Sequence, residues 1–299
     1  MTLIRCQVCE GTDLHLQDGK PLYRTEHQLH VLLNTLVLPQ AARVLDYGCA
    51  KSSTMQALLK ARGDLQIHLF DVSDNYRRFW ARFLPESRCA TFEPNAQWLD
   101  SLVRPGGHFY CIVPNVETNI ADFIVVDHVN HFTELSLTHV LQRAGFEVDA
   151  IDSSSHRGAF VVLARRPLTD VPERRPDAQL VAQHVQALQR IAEFWQGAAD
   201  RVQAFVAEQP EDRPLAVYGA GFYGSFITAC LGSADRVACF VDQNPFLQGR
   251  SFFGKPVVAP IDLPLEIDTL LVGLNPAHAE RIIAEVPVFQ SRALRCFFL

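Results

Sequence analysis

The sequence predicts an α/β chain built as two doubly wound domains joined by a helical connector. Three observations carry this. A strand, a turn of small residues and a helix follow one another at residues 43–61. The same order recurs at residues 215–231, and the stretch ahead of it carries apolar side chains at helical spacing. With 299 residues there is room for two domains of ordinary size, and 48% hydrophobic residues supports ordinary globular cores.

Composition narrows the function classes. A net charge of -6 and no long basic run argue against nucleic acid as the main partner. No apolar run reaches membrane-spanning length, and the N-terminus lacks the charged and apolar regions of a signal peptide. A cytoplasmic protein without a membrane partner is therefore expected. The eight cysteines fall mostly in apolar strand-like runs, as buried thiols of a reducing compartment do.

Residues 1–39 read as a small zinc-knuckle-like segment followed by a helix. Cys6-Gln7-Val8-Cys9 puts two thiolates on one tight knuckle, which is half of a tetrahedral zinc site. His27 and His30 have the same two-residue gap and are the candidates for the other half. The competing reading is a knuckle that no longer binds metal, with both histidines simply on the helix at 26–36.

Residues 40–165 form the first Rossmann-like domain. Ala41, Ala42, Val44 and Leu45 make a short buried strand, Gly48-Cys49-Ala50-Lys51-Ser52 a turn, and residues 53–61 a helix. Small residues let the backbone approach a ligand, which in such folds lies outside the carboxyl ends of the strands. A second apolar run, Ile67-His68-Leu69-Phe70, ends in Asp71, where an acid is placed to accept hydrogen bonds from ribose hydroxyls. A purely structural strand-to-helix turn is the alternative. Further strands are expected at 89–92, 108–113, 146–151 and 159–164, and helices at 74–83 and 134–144, with Gly145 as the stop of the last. The aromatic residues of helix 74–83 read as packing against the sheet.

Leu45-Asp46-Tyr47-Gly48-Cys49 resembles the first motif of class I S-adenosylmethionine (SAM)-dependent methyltransferases. Asp71 matches their ribose-binding acid, and Arg104-Pro105-Gly106-Gly107 matches their "PGG" turn before the fifth strand. The family usually has three glycines in the first turn; this chain has Gly48, Ala50 and Ser52. The resemblance implies SAM as cofactor, held by Asp46, Gly48, Ala50 and Asp71. It also exposes a gap. The family has a fourth strand, paired with the first, before the PGG turn. Here residues 91–102 leave no room for a buried strand and its crossover, and Pro94 disfavours a central strand. The first domain is expected to lack that strand.

Asp127-His128-Val129-Asn130-His131-Phe132-Thr133 resembles the "EH..YF[ST]" signature of sugar C-methyltransferases, with His131 where the family has tyrosine. The resemblance makes His128 the general base, with Asp127 and His131 beside it. A carbon next to a ketone must lose a proton before it can attack a methyl sulfonium, and imidazole titrates near neutrality. Two other readings stay open: structural or capping histidines near helix 134–144, which Thr133 and Ser136 are placed to cap, or a metal pair.

Residues 166–213 are a linker rich in proline and charge, then a connector. Leu180, Val181, Val185, Leu188, Ile191, Trp195, Val202, Phe205 and Val206 recur at helical spacing, with Gly197 a candidate break. Residues 214–299 open a second Rossmann-like domain. Gly219-Ala220-Gly221-Phe222-Tyr223-Gly224 is a full GxGxxG after a strand, and Asp242 closes the next strand. Val241–Gly249 and Gly254-Lys255-Pro256-Val257-Val258 resemble the C-terminal domain of sugar C-methyltransferases, which helps hold the nucleotide-sugar. The substrate set is then Asn115, directly after the fifth strand, with Gly219, Gly221, Gly224 and Asp242. A GxGxxG kept for packing alone is the competing reading.

The function expected is SAM-dependent C-methylation of a nucleotide-linked keto sugar. The alternative is a methyltransferase-like protein that binds SAM or a nucleotide-sugar without turnover. An NAD-dependent oxidoreductase is the third reading.

Overall fold

The computed structural model of the chain describes residues 14–17, 20–71, 74–84, 102–126, 128, 130–156, 158–169 and 175–299. Its contacts divide into two units. One comprises residues 1–112 with Thr138–Arg175; the other comprises Val113–Leu137 with Pro176–Leu299.

In the first unit, β1 (Leu14–Gln17) and β2 (Lys20–Tyr23) form an antiparallel hairpin that leads into α1 (Arg24–Thr35). Strand β3 (Arg43–Tyr47), helix α2 (Ser53–Ala61) and strand β4 (Gln66–Phe70) make a parallel βαβ unit, with Val44 opposite Ile67 and Asp46 opposite Leu69. The apolar run of β4 puts Ile67 and Leu69 wholly inside, against Leu58 of α2 and Trp80 of the short helix α3 (Arg77–Trp80). The helix expected at 74–83 is thus a 3-10 turn at Asp74–Tyr76 and one turn of α-helix, and its aromatic residues pack into this core.

Strand β5 (His108–Pro114) follows the PGG turn. Next come helix α4 (Glu134–Arg143), β6 (Glu147–Asp152) and β7 (Ala159–Arg165), with sheet order β5-β7-β6. Helix α4 stops at Gly145, where the Phe146 N–H bonds the Leu141 carbonyl at 3.0 Å. Among the described residues no strand lies between β4 and β5, and β3 pairs with β4 alone. Among the described residues its Rossmann-like strands form two sheets, β3-β4 and β5-β7-β6, and most of the stretch 91–102, where no fourth strand was expected, lies outside them. The strand expected at 89–92 lies outside the described residues.

The second unit begins with the segment Val113–Leu137 and continues through α5 (Ala178–Ala207). Asp177 caps α5, its side chain accepting from the Gln179 and Leu180 N–H groups. The helix runs through Gly197 without a break, contrary to the sequence expectation. Arg201 closes over that position: its guanidinium lies 4.9 Å from the Phe194 ring centre and donates to the Phe194 carbonyl. It thereby covers the backbone a glycine would leave to water.

Strand β8 (Leu215–Tyr218), α6 (Phe222–Cys230), β9 (Val237–Val241), β10 (Ser251–Phe252), β11 (Lys255–Val258), β12 (Thr269–Val272), α7 (Pro276–Ala284), α8 (Pro287–Gln290) and β13 (Arg295–Phe298) complete it. The sheet order is β10-β11-β9-β8-β12-β13, parallel from β11 to β13. Two faces are buried. Ala216 and Tyr218 pack with Ala279, Ile283 and Phe289 on one side, and Leu215 and Val217 pack with Val202 and Ile227 on the other. All four residues of β8 are buried, as a central parallel strand requires, whereas β3 is only half-buried along its length. The strand order reverses between β8 and β12, which is where a doubly wound sheet opens its ligand crevice. Among the described residues no helix is long and apolar enough to cross a membrane.

Candidate functional site

Three places carry the residues singled out in the sequence. The first is the turn after β3. Gly48 and Cys49 donate to the Phe70 carbonyl at 2.9 and 3.1 Å, which ties the turn to the end of β4. Asp71 accepts the Ala50 N–H at 2.8 Å, and the indole of Trp80 donates to the Ala50 carbonyl at 2.7 Å. Gly48, Ala50 and Ser52 all have positive φ: 73°, 45° and 53°. The turn thus keeps glycine-type geometry where the chain carries alanine and serine. Ser52 donates to Asp46 at 2.7 Å. Burial raises the Asp46 carboxyl above its ordinary range, and the charge of Asp71 adds to this against the pull of the Ser52 hydrogen bond. Two carboxylates that repel each other beside an open turn favour a cationic ligand. A Cβ on Gly48 would meet nothing within 4 Å, so the backbone there is open to one.

The second place is the strap Val113–Leu137 of the other unit. Asn115 is 4% exposed, and its Oδ1 accepts the Glu117 N–H at 3.0 Å, so it shapes the start of the strap. Residues Ile120–Ile124 form a 3-10 turn that buries Asp122. The two oxygens of that carboxylate each hold one histidine: Oδ1 lies 2.5 Å from Nδ1 of His128, and Oδ2 lies 3.1 Å from Nδ1 of His131. An ionised carboxylate can only accept, so each Nδ1 carries its proton and each Nε2 is turned away from the acid. The Asp122 side chain is 0% exposed, whereas those of His128 and His131 are 39% and 27% exposed. A buried acid thus presents two rings toward solvent. Phe123 packs on His131 with ring centres 5.3 Å apart. Thr133 and Ser136 form a reciprocal cap, each hydroxyl bonding the other's backbone N–H at 3.2 and 3.0 Å, as their spacing suggested.

Asp127, the acid read from the signature, lies outside the described residues. Asp122 was not singled out in the sequence. Its signal was there: a lone acid within the apolar run 120–126 has to find a partner if the run is buried.

The third place is the second glycine turn, in the same unit as the strap. Its glycines divide by role. A Cβ on Gly224 would collide with the Gly219 carbonyl, and one on Gly273, just past β12, would lie 2.6 Å from Gly224 Cα. Gly219, Gly224 and Gly273 are therefore close-packing positions. Gly221 meets nothing within 4 Å and is the open one. Asp242 accepts the N–H groups of Ala220 and Asn244, both at 2.8 Å, and so holds the turn as Asp71 holds the first. Tyr223 of this turn packs with Trp195, Ala121 and Phe123 beneath the strap, and Trp195 donates to the Ile120 carbonyl at 2.8 Å. Asn275, the cap of α7, donates to the Thr118 carbonyl at 3.0 Å. The histidines and the second glycine turn are thus built on one framework.

Of the four metal candidates, only the two histidines are among the described residues; Cys6 and Cys9 lie outside them. His30 bonds Asn34 at 2.9 Å, and His27 lies against His156 with ring centres 5.4 Å apart. Among the described residues no three histidine, cysteine or acidic side chains could hold a metal ion.

No family model matches this sequence, and neither does any curated protein. Solved structures do resemble parts of it. A chain from the Haloferax volcanii complex of the Trm112 methyltransferase activator with a methyltransferase is similar at 14% identity, covering 48% of this chain and 91% of that one, with a TM-score of 0.39. An O-methyltransferase family protein from Burkholderia thailandensis is similar at 14% identity, over 48% of this chain and 56% of that one, with a TM-score of 0.40. The mitomycin 7-O-methyltransferase MmcR is similar at 16% identity, over 48% of this chain and 53% of its own, with a TM-score of 0.38. At that level these likenesses are no basis for assigning an activity.

Proposed function

We propose that the chain is a SAM-dependent methyltransferase acting on carbon of a nucleotide-linked keto sugar, with His128 as general base. The observation that carries it is the 2.5 Å contact between Nδ1 of His128 and buried Asp122, which leaves Nε2 as the acceptor a base requires. His131 is held in the same way and is the next candidate for that role. The first turn suits SAM: Gly48 supplies approachable backbone, Ala50 is fixed by its bonds to Asp71 and Trp80, Asp71 stands at the end of β4 for the ribose, and Asp46 is a second acid beside the turn. When bound there, SAM supplies an electrophilic methyl group. The open Gly221 at the start of α6, with Asp242 at the end of β9, supports a nucleotide at the second turn.

The described residues lend zinc no support: His30 is engaged with Asn34, and no three ligating side chains meet among them. A second reading has its own support: the half-buried β3, unpaired on one side among the described residues, favours a protein that binds these ligands without turnover.

Calorimetry with SAM tests the first part. Asp71→Ala should weaken binding by roughly 1.5–3 kcal/mol, the range of a charge-assisted hydrogen bond. No binding by the wild type sinks the methyltransferase reading; equal binding by Asp71→Ala sinks only the assignment. Deuterium uptake from heavy water into keto nucleotide-sugars tests the second part. His128→Ala should slow it by roughly 10²–10⁴.

A further inference from the structure

We infer that His131 works as the proton donor facing the carbonyl oxygen while His128 works as the base, the two rings sharing one proton across Asp122; this deepens the keto-sugar reading above and rests on it. Charge and connectivity both point there. A single buried carboxylate is bonded at both oxygens, Oδ1 to His128 and Oδ2 to His131. With both rings neutral, the cluster buries an uncompensated negative charge. With both protonated, two like charges meet over one acid. One added proton makes the cluster neutral. In it, one ring has a free Nε2 and the other an Nε2–H. The strap's remaining pair, Glu117 and His184 of α5, is closed on itself at 2.9 Å and supplies neither group.

Those two ring faces are what enolisation needs. The C–H bond beside the carbonyl breaks, and its proton goes to Nε2 of His128. Its electron pair forms the C=C bond, and the carbonyl π pair moves onto oxygen. There the Nε2–H of His131 holds it by a hydrogen bond. The cluster then carries two imidazolium ions and one carboxylate, and the enolate oxygen cancels the remaining charge. His128 is more exposed than His131, which also packs on Phe123. That difference assigns the mobile proton acceptor to His128 and the fixed donor to His131. Asp122 is the positioning residue for both.

Two measurements on the full chain test this. The first needs no substrate. ¹⁵N-histidine NMR across pH should show both rings as the Nδ1–H tautomer when neutral. They should titrate as a coupled pair, with His131→Gln shifting the His128 midpoint. Two independent titrations, unchanged by His131→Gln, overturn the sharing. The second is deuterium uptake into keto nucleotide-sugars against pH. The wild type should rise and then fall. His131→Gln keeps a donor that does not titrate, so it should stay within about tenfold and lose the fall at high pH. His131→Phe keeps the packing on Phe123 but has no donor, and should lose on the order of 10²–10³. Uptake by His131→Phe at the wild-type rate, or a high-pH fall that survives in His131→Gln, overturns the donor role while the base reading stands. No uptake by the wild type overturns both, whatever the NMR shows.

Discussion

Alanine at position 50 holds a backbone conformation that glycine adopts freely, and serine at position 52 does the same two residues on. For an L-residue the left-handed region costs about 1–2 kcal/mol. Glycine removes that cost but returns about 0.5–1 kcal/mol as extra freedom of the unfolded chain. Ala50→Gly should therefore stabilise the fold by about 0.5–1 kcal/mol, since the exposed Ala50 methyl contributes little burial. Ser52→Gly relieves the same strain but deletes the 2.7 Å bond to Asp46. A hydrogen bond to a charged group is worth about 1.5–3 kcal/mol, so the net is a loss of about 0.5–2.5 kcal/mol. Two chemically similar changes, two residues apart, should move stability in opposite directions. Thermal melting checks this, at about 2–4 °C per kcal/mol for units of this size. Because two units need not unfold together, urea unfolding followed by hydrogen exchange at α2 assigns the shift to the right unit. A lower melting temperature for Ala50→Gly, or a rise for Ser52→Gly equal to it, would refute the reasoning.

The second glycine turn should tolerate Gly221→Ala within about 0.5 kcal/mol. Gly224→Ala, which overlaps the Gly219 carbonyl, should cost about 3 kcal/mol or more, read as the loss in urea midpoint. Trp195→Phe keeps the aromatic packing but leaves the half-buried Ile120 carbonyl without its 2.8 Å donor, so a loss of about 1–2 kcal/mol is expected in the same assay. Burial pushes the thiols of Cys49 and Cys111 from 9.0 up to about 12, so the native protein should leave both unlabelled by iodoacetamide near neutral pH and label them once unfolded. The same shift makes stability fall as pH rises above about 9, where the unfolded thiols ionise and the folded ones do not. A urea midpoint that is flat from pH 8 to pH 11 would contradict it.

The strands were legible because each is a short apolar run bounded by small or turn-forming residues. The runs at 43–46, 67–71, 108–113 and 159–164 lie within one or two residues of β3, β4, β5 and β7. The 30-residue α5 was legible as a period and not as a length, because Gly197 reads as a break and the Arg201 contact that bridges it is a matter of space. Asp122 was not legible for a related reason. Its link to His131 spans nine positions across a 3-10 turn, which no helical or strand period describes. Gly273 was missed as well. It stands alone after an apolar run, and only the approach of Gly224 shows why it must be glycine.

The strap is separated in the chain from the framework that holds it. Residues 113–137 lie on α5, the second glycine turn and Leu299, and the intervening stretch Thr138–Arg175 belongs to the other unit. During synthesis the histidines leave the ribosome long before that framework exists. Domains fold largely as units while the chain emerges, so the cluster under the strap is incomplete until Leu299 has been added. The first glycine turn and its acid can assemble early; the paired histidines are a late event. A nascent chain arrested short of β13 should accordingly hold the first turn in its native bonds while the strap stays open to protease.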